Sequence, residues 1–310
     1  MKITKNHFHN SIESGGDKIS LTLRGIDWFK GELQKMTYEA KLMYGELPKS
    51  ELINVLILDT ETTGLNDDDE VIELCIAQIK LVKGTYAFYS FDQIVDELNE
   101  PEKDLKKILA PEIEELTGLT TEMIKGSKID KVRARDLIAG ADLIIAHNAN
   151  FDRKQIIKLL GDSISVKIWG CSYQQIPWKK LGFLNSKQEI LLMFHGIVFQ
   201  GHRADSDVFA LAWMLSKFCY FEFIVKDLKN KKVLVSAVNS PFEVKDILSQ
   251  KYGFKFDGES KVWRAILNAS DFEIIKDQLA LDAYKGRPSQ LVVKELRVNM
   301  FFAPMSEIVS

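Results

Sequence analysis

The sequence predicts an α/β fold: a mixed sheet carrying helices, followed by a small α+β module. Three observations predict it. Apolar, β-branched runs follow one another at Ile53–Leu58, at VIELCIAQIKLV (71–82) and at TYAFYSFDQIV (85–95), joined by short turns, which reads as a meander of three strands. From 111 to about 218 the pattern changes to helix alternating with buried strand, the order expected of a sheet with helices packed on it. Beyond Glu222 a second, shorter series of strands and helices begins.

Residues 1 to 22 are polar and irregular, whereas Trp28, Leu33, Met36, Ala40, Leu42 and Met43 recur every three or four positions and predict a helical arm over 23–45. This arm reads as a packing extension, and Pro48 separates it from the first strand. PEIEELTGLTTEMIKGS (111–127) predicts two short helices around Gly118, 130–140 a third, ADLIIAHN (141–148) a buried strand and FDRKQIIKLLG (151–161) a helix starting where that strand stops. NSKQEILLMFHGI (185–197) is expected to be a helix with Ser186 and Glu189 as a capping box. ADSDVFALAWMLSKF (204–218) is expected to turn Val208, Leu211, Ala212 and Leu215 to one face. In the second unit KKVLVSAVNS and KVWRAIL read as strands, PFEVKDILSQKYG as a helix closed by Gly253, DFEIIKDQLALDAY as a helix, and QLVVKELRVNMFF as one or two strands. The expected organisation is an N-terminal arm (1–50), a domain (51–220) and an accessory module (222–310).

With 310 residues, 46% of them hydrophobic and 27% charged, the chain can build a sizeable core. No run of about 18 apolar residues is present to span a bilayer, so no membrane partner is expected. The first twenty residues lack a secretory apolar stretch, and Cys75, Cys171 and Cys219 show no CxxC spacing, so a reducing, cytoplasmic location is expected. A net charge of −3 gives no reason for sequence-independent wrapping of duplex nucleic acid, and any nucleic-acid function must rest on a local site.

Asp59 and Glu61 supply such a site. Spaced two apart at the end of an apolar strand, they point the same way, and two anions on one face repel unless a cation lies between them. Asp152 follows the second buried strand at the start of a helix, and His202 precedes Asp207 by five residues at the start of another. Singly, each has a bland explanation: a solvated strand end, an acid favoured by a helix dipole, a loop histidine. Jointly, strand ends and helix starts deliver four carboxylates to one edge of a sheet, and hard oxygen ligands suit two Mg²⁺ or Mn²⁺ ions clamping a phosphodiester.

LDTETTG (58–64), AHNANFD (146–152) and HRADSD (202–207), in this order, resemble the three motifs of the DEDD-type 3′–5′ exonucleases, histidine subgroup, which include the proofreading subunits of bacterial replicative polymerases. The resemblance covers about 53–216 and implies a ribonuclease H-like fold with a mixed five-stranded sheet and helices on both faces. It implies that Asp59, Glu61, Asp152 and Asp207 hold two divalent ions, that His202 is the general base, and that Thr62, Thr63, Gly64, Leu65, Asn148 and Phe151 cradle the terminal nucleotide. An imidazole with a pKa near ~6.5 suits the base. His147, inside the second motif, reads as structural. Two departures stand out: LTGLT (116–120) where relatives carry H-G-I-T, and an acidic turn, Asp67–Asp69, which reads as a solvated loop.

IWGCSYQQIPWKKLGF (168–183) and PFEVKDILSQKYGFKFDGESKVW (241–263) are similar to bacterial exonucleases with a small C-terminal module. There Lys245, Lys251, Lys255 and Lys261 interleave with Phe242, Tyr252, Phe254, Phe256 and Trp263, either a platform for single-stranded bases or, the favoured reading, the core of the module. The expected function is hydrolysis of single-stranded or frayed DNA from its 3′ end, releasing nucleoside monophosphates, with a polymerase or repair complex as a partner. Trimming of RNA by the same chemistry, and a non-catalytic nucleic-acid or polymerase adaptor, are the alternatives; the intact acids and His202 argue against the adaptor.

Overall fold

The structure, a computed structural model, describes residues 10–14, 17–66, 68–102, 109–285 and 287–309. The chain forms two compact units, one ending at Ile224 and the other starting at Val225. Asn10–Ser14 (β1) and Asp17–Leu23 (β2) form an antiparallel pair, where the sequence suggested irregular chain. The helix Ile26–Tyr44 (α1) follows, and then Leu52–Thr62 (β3), Val71–Val82 (β4) and Phe88–Leu98 (β5) form the meander. β3 runs four residues past Leu58 because its pairing with β4 continues to Thr62, with a register shift between Glu61 and Thr62, so both acids lie on the strand itself.

Pro111–Thr117 (α2), Thr121–Ile124 (α3) and Lys131–Ala139 (α4) lead to Leu143–Ala146 (β6), Ala149–Leu160 (α5) and Trp169–Cys171 (β7). β3, β6 and β7 are parallel neighbours, which completes a five-stranded mixed sheet in the order β5-β4-β3-β6-β7. Val55 to Leu58 are all fully buried. Successive strand residues face opposite sides, so helices must cover both faces of the sheet centre.

After Ser172–Gln175 (α6) and Gln188–Phe194 (α7), Ile197–Val198 (β8) pairs parallel with β2, and Ala204–Lys217 (α8) crosses the sheet. α8 is buried continuously from Val208 to Ser216, not along one stripe. The reason is α1: its Trp28 and Phe29 rings stand 5.3 and 5.9 Å from Trp213, so the side of α8 turned from the sheet is also covered. The arm is therefore part of the first unit's core. α7 starts later than expected, at Gln188, and has no side-chain cap; Ser186 and Glu189 do not form a capping box.

Phe221–Lys229 (α9) spans the unit boundary. The second unit is an antiparallel sheet of Lys232–Ala237 (β9), Lys255–Asp257 (β10), Val262–Asn268 (β11) and Leu291–Leu296 (β12) in the order β10-β11-β9-β12, packed on Ala269–Tyr284 (α10). Residues 242–252 are a 3₁₀ turn running into a wide π-type turn, not a regular helix, and Gly253 ends it at φ +70°. Tyr252 and Phe254 are core residues and Trp263 packs against them, whereas Phe242 and Phe256 are exposed. No described helix is by itself long and apolar enough to cross a membrane.

Candidate active site

A cleft of about 790 Å³ opens at the edge of the five-stranded sheet where β3 and β6 end. Asp59 and Glu61 reach it from β3, Asp152 from the first turn of α5, and His202 and Asp207 from the start of α8. One carboxylate oxygen from each of Asp59, Glu61 and Asp207 lies within 4.8 Å of the other two. Asp152 stands beside this trio, fully buried, and accepts from the Thr60 backbone N–H at 3.2 Å and the Thr60 hydroxyl at 3.0 Å.

These groups repel one another in a poorly solvated place. Burial, and then the charges of Asp152, Asp207 and Glu61, raises Asp59 well above the usual carboxylate range. Burial followed by Asp207 and Glu73 pushes Glu61 up to about 8, and burial raises Asp152 and Asp207 to about 7 each. A divalent cation removes this penalty at once. Hard carboxylate oxygens converging at such spacing fit Mg²⁺ or Mn²⁺.

His202 sits with φ +64°, in the left-handed region, a conformation that costs a non-glycine residue about 1–2 kcal/mol. Its backbone N–H offsets part of this by donating to the Asp207 carboxylate at 2.7 Å. The imidazole is half exposed at the cleft, with Nε2 3.4 Å from Glu189 Oε1. Gln188 donates from Nε2 to the Asp207 carbonyl at 2.8 Å, which ties α7 to α8.

The start of α8 is fixed by a pair that sequence reasoning missed. Glu73, on β4 and directly opposite Glu61, is fully buried and accepts from Arg203 Nε at 3.1 Å, Arg203 Nη2 at 2.7 Å and the Ala204 N–H at 2.9 Å. A charged residue inside the apolar run VIELCIAQ was the available signal, since a carboxylate there must find a cation.

Of the residues expected to cradle a nucleotide, Thr62, Gly64, Leu65, Asn148 and Phe151 line the cleft and Thr63 does not. Its hydroxyl donates to Asp69 Oδ1 at 2.9 Å, and Asp69 also accepts from the Asn66 N–H at 2.6 Å. Asp69 is therefore a loop organiser and not a solvated side chain; Asp67 lies outside the described residues. A Cβ on Gly64 would fall 2.6–2.9 Å from the Asp69 carboxyl, so a side chain there would have to displace that carboxyl from its bonds to Thr63 and Asn66. α2 contributes Ile113 to the cleft, together with Leu116 and Thr117 from the LTGLT stretch. His147 has both ring nitrogens engaged, Nε2 at 2.8 Å from the Ser186 carbonyl and Nδ1 at 2.8 Å from the Ser172 hydroxyl. Burial lowers it to about 4, and the neutral ring serves as a structural tie.

Residues 56–160 match the exonuclease family. The matched segment carries Asp59, Glu61 and Asp152 and stops before His202 and Asp207, which the fold brings to the same cleft. No curated protein matches the sequence. Among solved structures the chain is similar to E. coli exonuclease I in complex with a dA16 oligonucleotide, at 17% identity over 80% of this chain and 63% of that one, TM-score 0.45. It is similar to cell-death related nuclease 4, at 15% identity over 80% and 82% of the two chains, TM-score 0.44, and to a full-length 3′-exonuclease, at 14% identity over 64% and 78%, TM-score 0.43.

Proposed function

We propose that this chain is a metal-dependent 3′–5′ exonuclease of the DEDD type, histidine subgroup, that removes nucleoside 5′-monophosphates from single-stranded or frayed DNA ends. The observation that carries the reading is the convergence of Asp59, Glu61 and Asp207 within 4.8 Å, with Asp152 and His202 on the same cleft. Asp59, Glu61, Asp207 and Asp152 are the residues that would hold two Mg²⁺ or Mn²⁺ ions, which supply Lewis-acid stabilisation of the attacking and leaving oxygens. Leu65, highly exposed at the cleft, and Phe151 flank the sugar and base of the last nucleotide, while the backbone from Thr62 to Leu65 runs beside it. His202 takes the proton of the attacking water on its imidazole, and its place just before α8, with its backbone N–H donating to the Asp207 carboxylate, keeps it beside the acids. The solved structure of exonuclease I with dA16 concerns a DNA strand, and that of another 3′-exonuclease concerns a histone mRNA stem-loop, so the sugar needs a direct test.

The test uses DNA and RNA oligomers labelled at either end, incubated with Mg²⁺, Mn²⁺ or chelator. Stepwise loss of DNA from the 3′ end, abolished by chelator, is the expected result. Faster loss of RNA would transfer the same chemistry to RNA trimming, and no cleavage of either with metal would reject the reading.

A further inference from the structure

Two cleft residues have no part in that reaction: Tyr173 and Lys187. Tyr173 lies on α6 with about half its surface exposed, and Lys187 precedes α7. Among the described residues that line the cleft, Lys187 is the only lysine or arginine, set against the carboxylates of Asp59, Glu61, Glu112, Asp152, Glu189 and Asp207. Bound cations act only on the phosphate they touch, so for a phosphate farther along a strand Lys187 is the cation that the described lining offers.

The two residues share one support. His147 bonds the side chain of Ser172 and the carbonyl of Ser186, the residues immediately before Tyr173 and Lys187. The Tyr173 N–H donates to the His147 carbonyl at 3.1 Å, and the tyrosine ring stands edge-on to the imidazole, centroids 5.7 Å apart at 89°. Ser172 is fixed from its other side by Trp178, whose buried Nε1 donates to the Ser172 carbonyl at 2.7 Å. A half-exposed aromatic ring and a cation held on a common rigid base form the combination that binds single strands by stacking and phosphate contact.

Building on the exonuclease reading, we propose that Tyr173 and Lys187 form a second subsite in the cleft, where the tyrosine stacks on a base upstream of the 3′ nucleotide and the lysine contacts a backbone phosphate. The subsite is sequence-tolerant, because every base offers a π-face, and it distinguishes a strand from a free mononucleotide. It also accounts for the partly buried His147, whose ring ties the residues next to the two binding residues.

The test is fluorescence anisotropy of a short 5′-labelled oligothymidine with Ca²⁺ in place of Mg²⁺, over a series of salt concentrations. Tyr173→Ala weakens binding roughly five- to a hundredfold with an unchanged salt slope. Lys187→Ala lowers the slope of log K against log salt by about 0.7. Lys187→Arg retains the wild-type slope. A wild-type protein that degrades 3′ ends while both alanine variants bind as tightly as wild type, with its salt slope, overturns the subsite alone. A wild-type protein that neither binds nor cuts overturns the exonuclease reading and the subsite with it.

Discussion

The two units handle carboxylates in opposite ways. In the second unit Asp282 accepts from Lys251 at 2.7 Å, Tyr252 at 2.7 Å and Gln278 at 2.8 Å, and the first two hold it at about 2. Asp257 there is lowered by Ser260 first, with Arg264 also bonded to it. In the cleft of the first unit, burial and mutual repulsion drive Glu61 up to about 8 and Asp152 and Asp207 to about 7. The residue type is the same; the cleft acids are raised first by burial and then by one another, whereas Asp282 and Asp257 are little desolvated and have donors bonded to them. One set of acids is satisfied within the chain, and the other calls for a cation from outside it.

Substitution should separate the two sets most widely in activity. Asp59→Ala should reduce 3′ hydrolysis to background while the metal-free protein melts at an equal or higher temperature, since crowding of acids is relieved; unaltered cleavage would contradict the assignment. His202→Ala should slow cleavage by about a hundred- to ten-thousandfold, and full retention of rate would remove His202 as the base. Arg203→Ala attacks the internal countercharge behind the cleft. By leaving buried Glu73 unpaired it should cost about 3–5 kcal/mol in urea unfolding, and a loss below about 1 kcal/mol would mean that α8 is anchored by other contacts.

The pH dependence of stability should also divide. For the cleft, folded pKa values lie above the unfolded carboxylate value near ~4, so the metal-free protein is best stabilised at low pH and loses that contribution as pH rises from about 4 through about 8. For Asp282 the folded value is depressed, so its contribution is full above about 4 and is lost as pH falls toward about 2. Melting curves with and without Mg²⁺ check this: the ion should raise the melting temperature more at pH 8 than at pH 6, and an equal rise at both would show that the acids bind it without being crowded. The Asp282→Asn change should matter least, about 1 kcal/mol or less, because its ion-pair partner Lys251 is largely exposed.

What the sequence revealed follows the range of its physics. β4 at Val71–Val82 and the helices from Ala149 and Ala204 were legible because long apolar runs leave a period that neighbours do not disturb. The three-residue strand Trp169–Cys171, the fifth of the sheet, leaves no such trace, because its pairing with β6 is decided in three dimensions. The acids and His202 could be picked out only jointly, because they stand at strand ends and helix starts within motifs that resemble those of the DEDD-type exonucleases; singly, each had a bland explanation. Glu73 with Arg203, and Asp69 with Thr63, could not be paired, because one couple is separated by 130 residues and the other is closed by loop geometry. The arm α1 was legible as a packing helix, but not what it packs on, because an amphipathic helix carries no record of the surface it will cover.

The central claim, that the cleft acids form a site for divalent cations, is tested most directly by Mn²⁺ titration calorimetry in two buffers of different ionisation enthalpy. At pH 7 wild-type protein should bind Mn²⁺ saturably with net proton release, because Glu61, pushed up to about 8, must give up its proton to become a ligand, and Glu61→Gln should bind more weakly with less release. Absence of saturable binding, or an isotherm that Glu61→Gln leaves unchanged, would contradict the account.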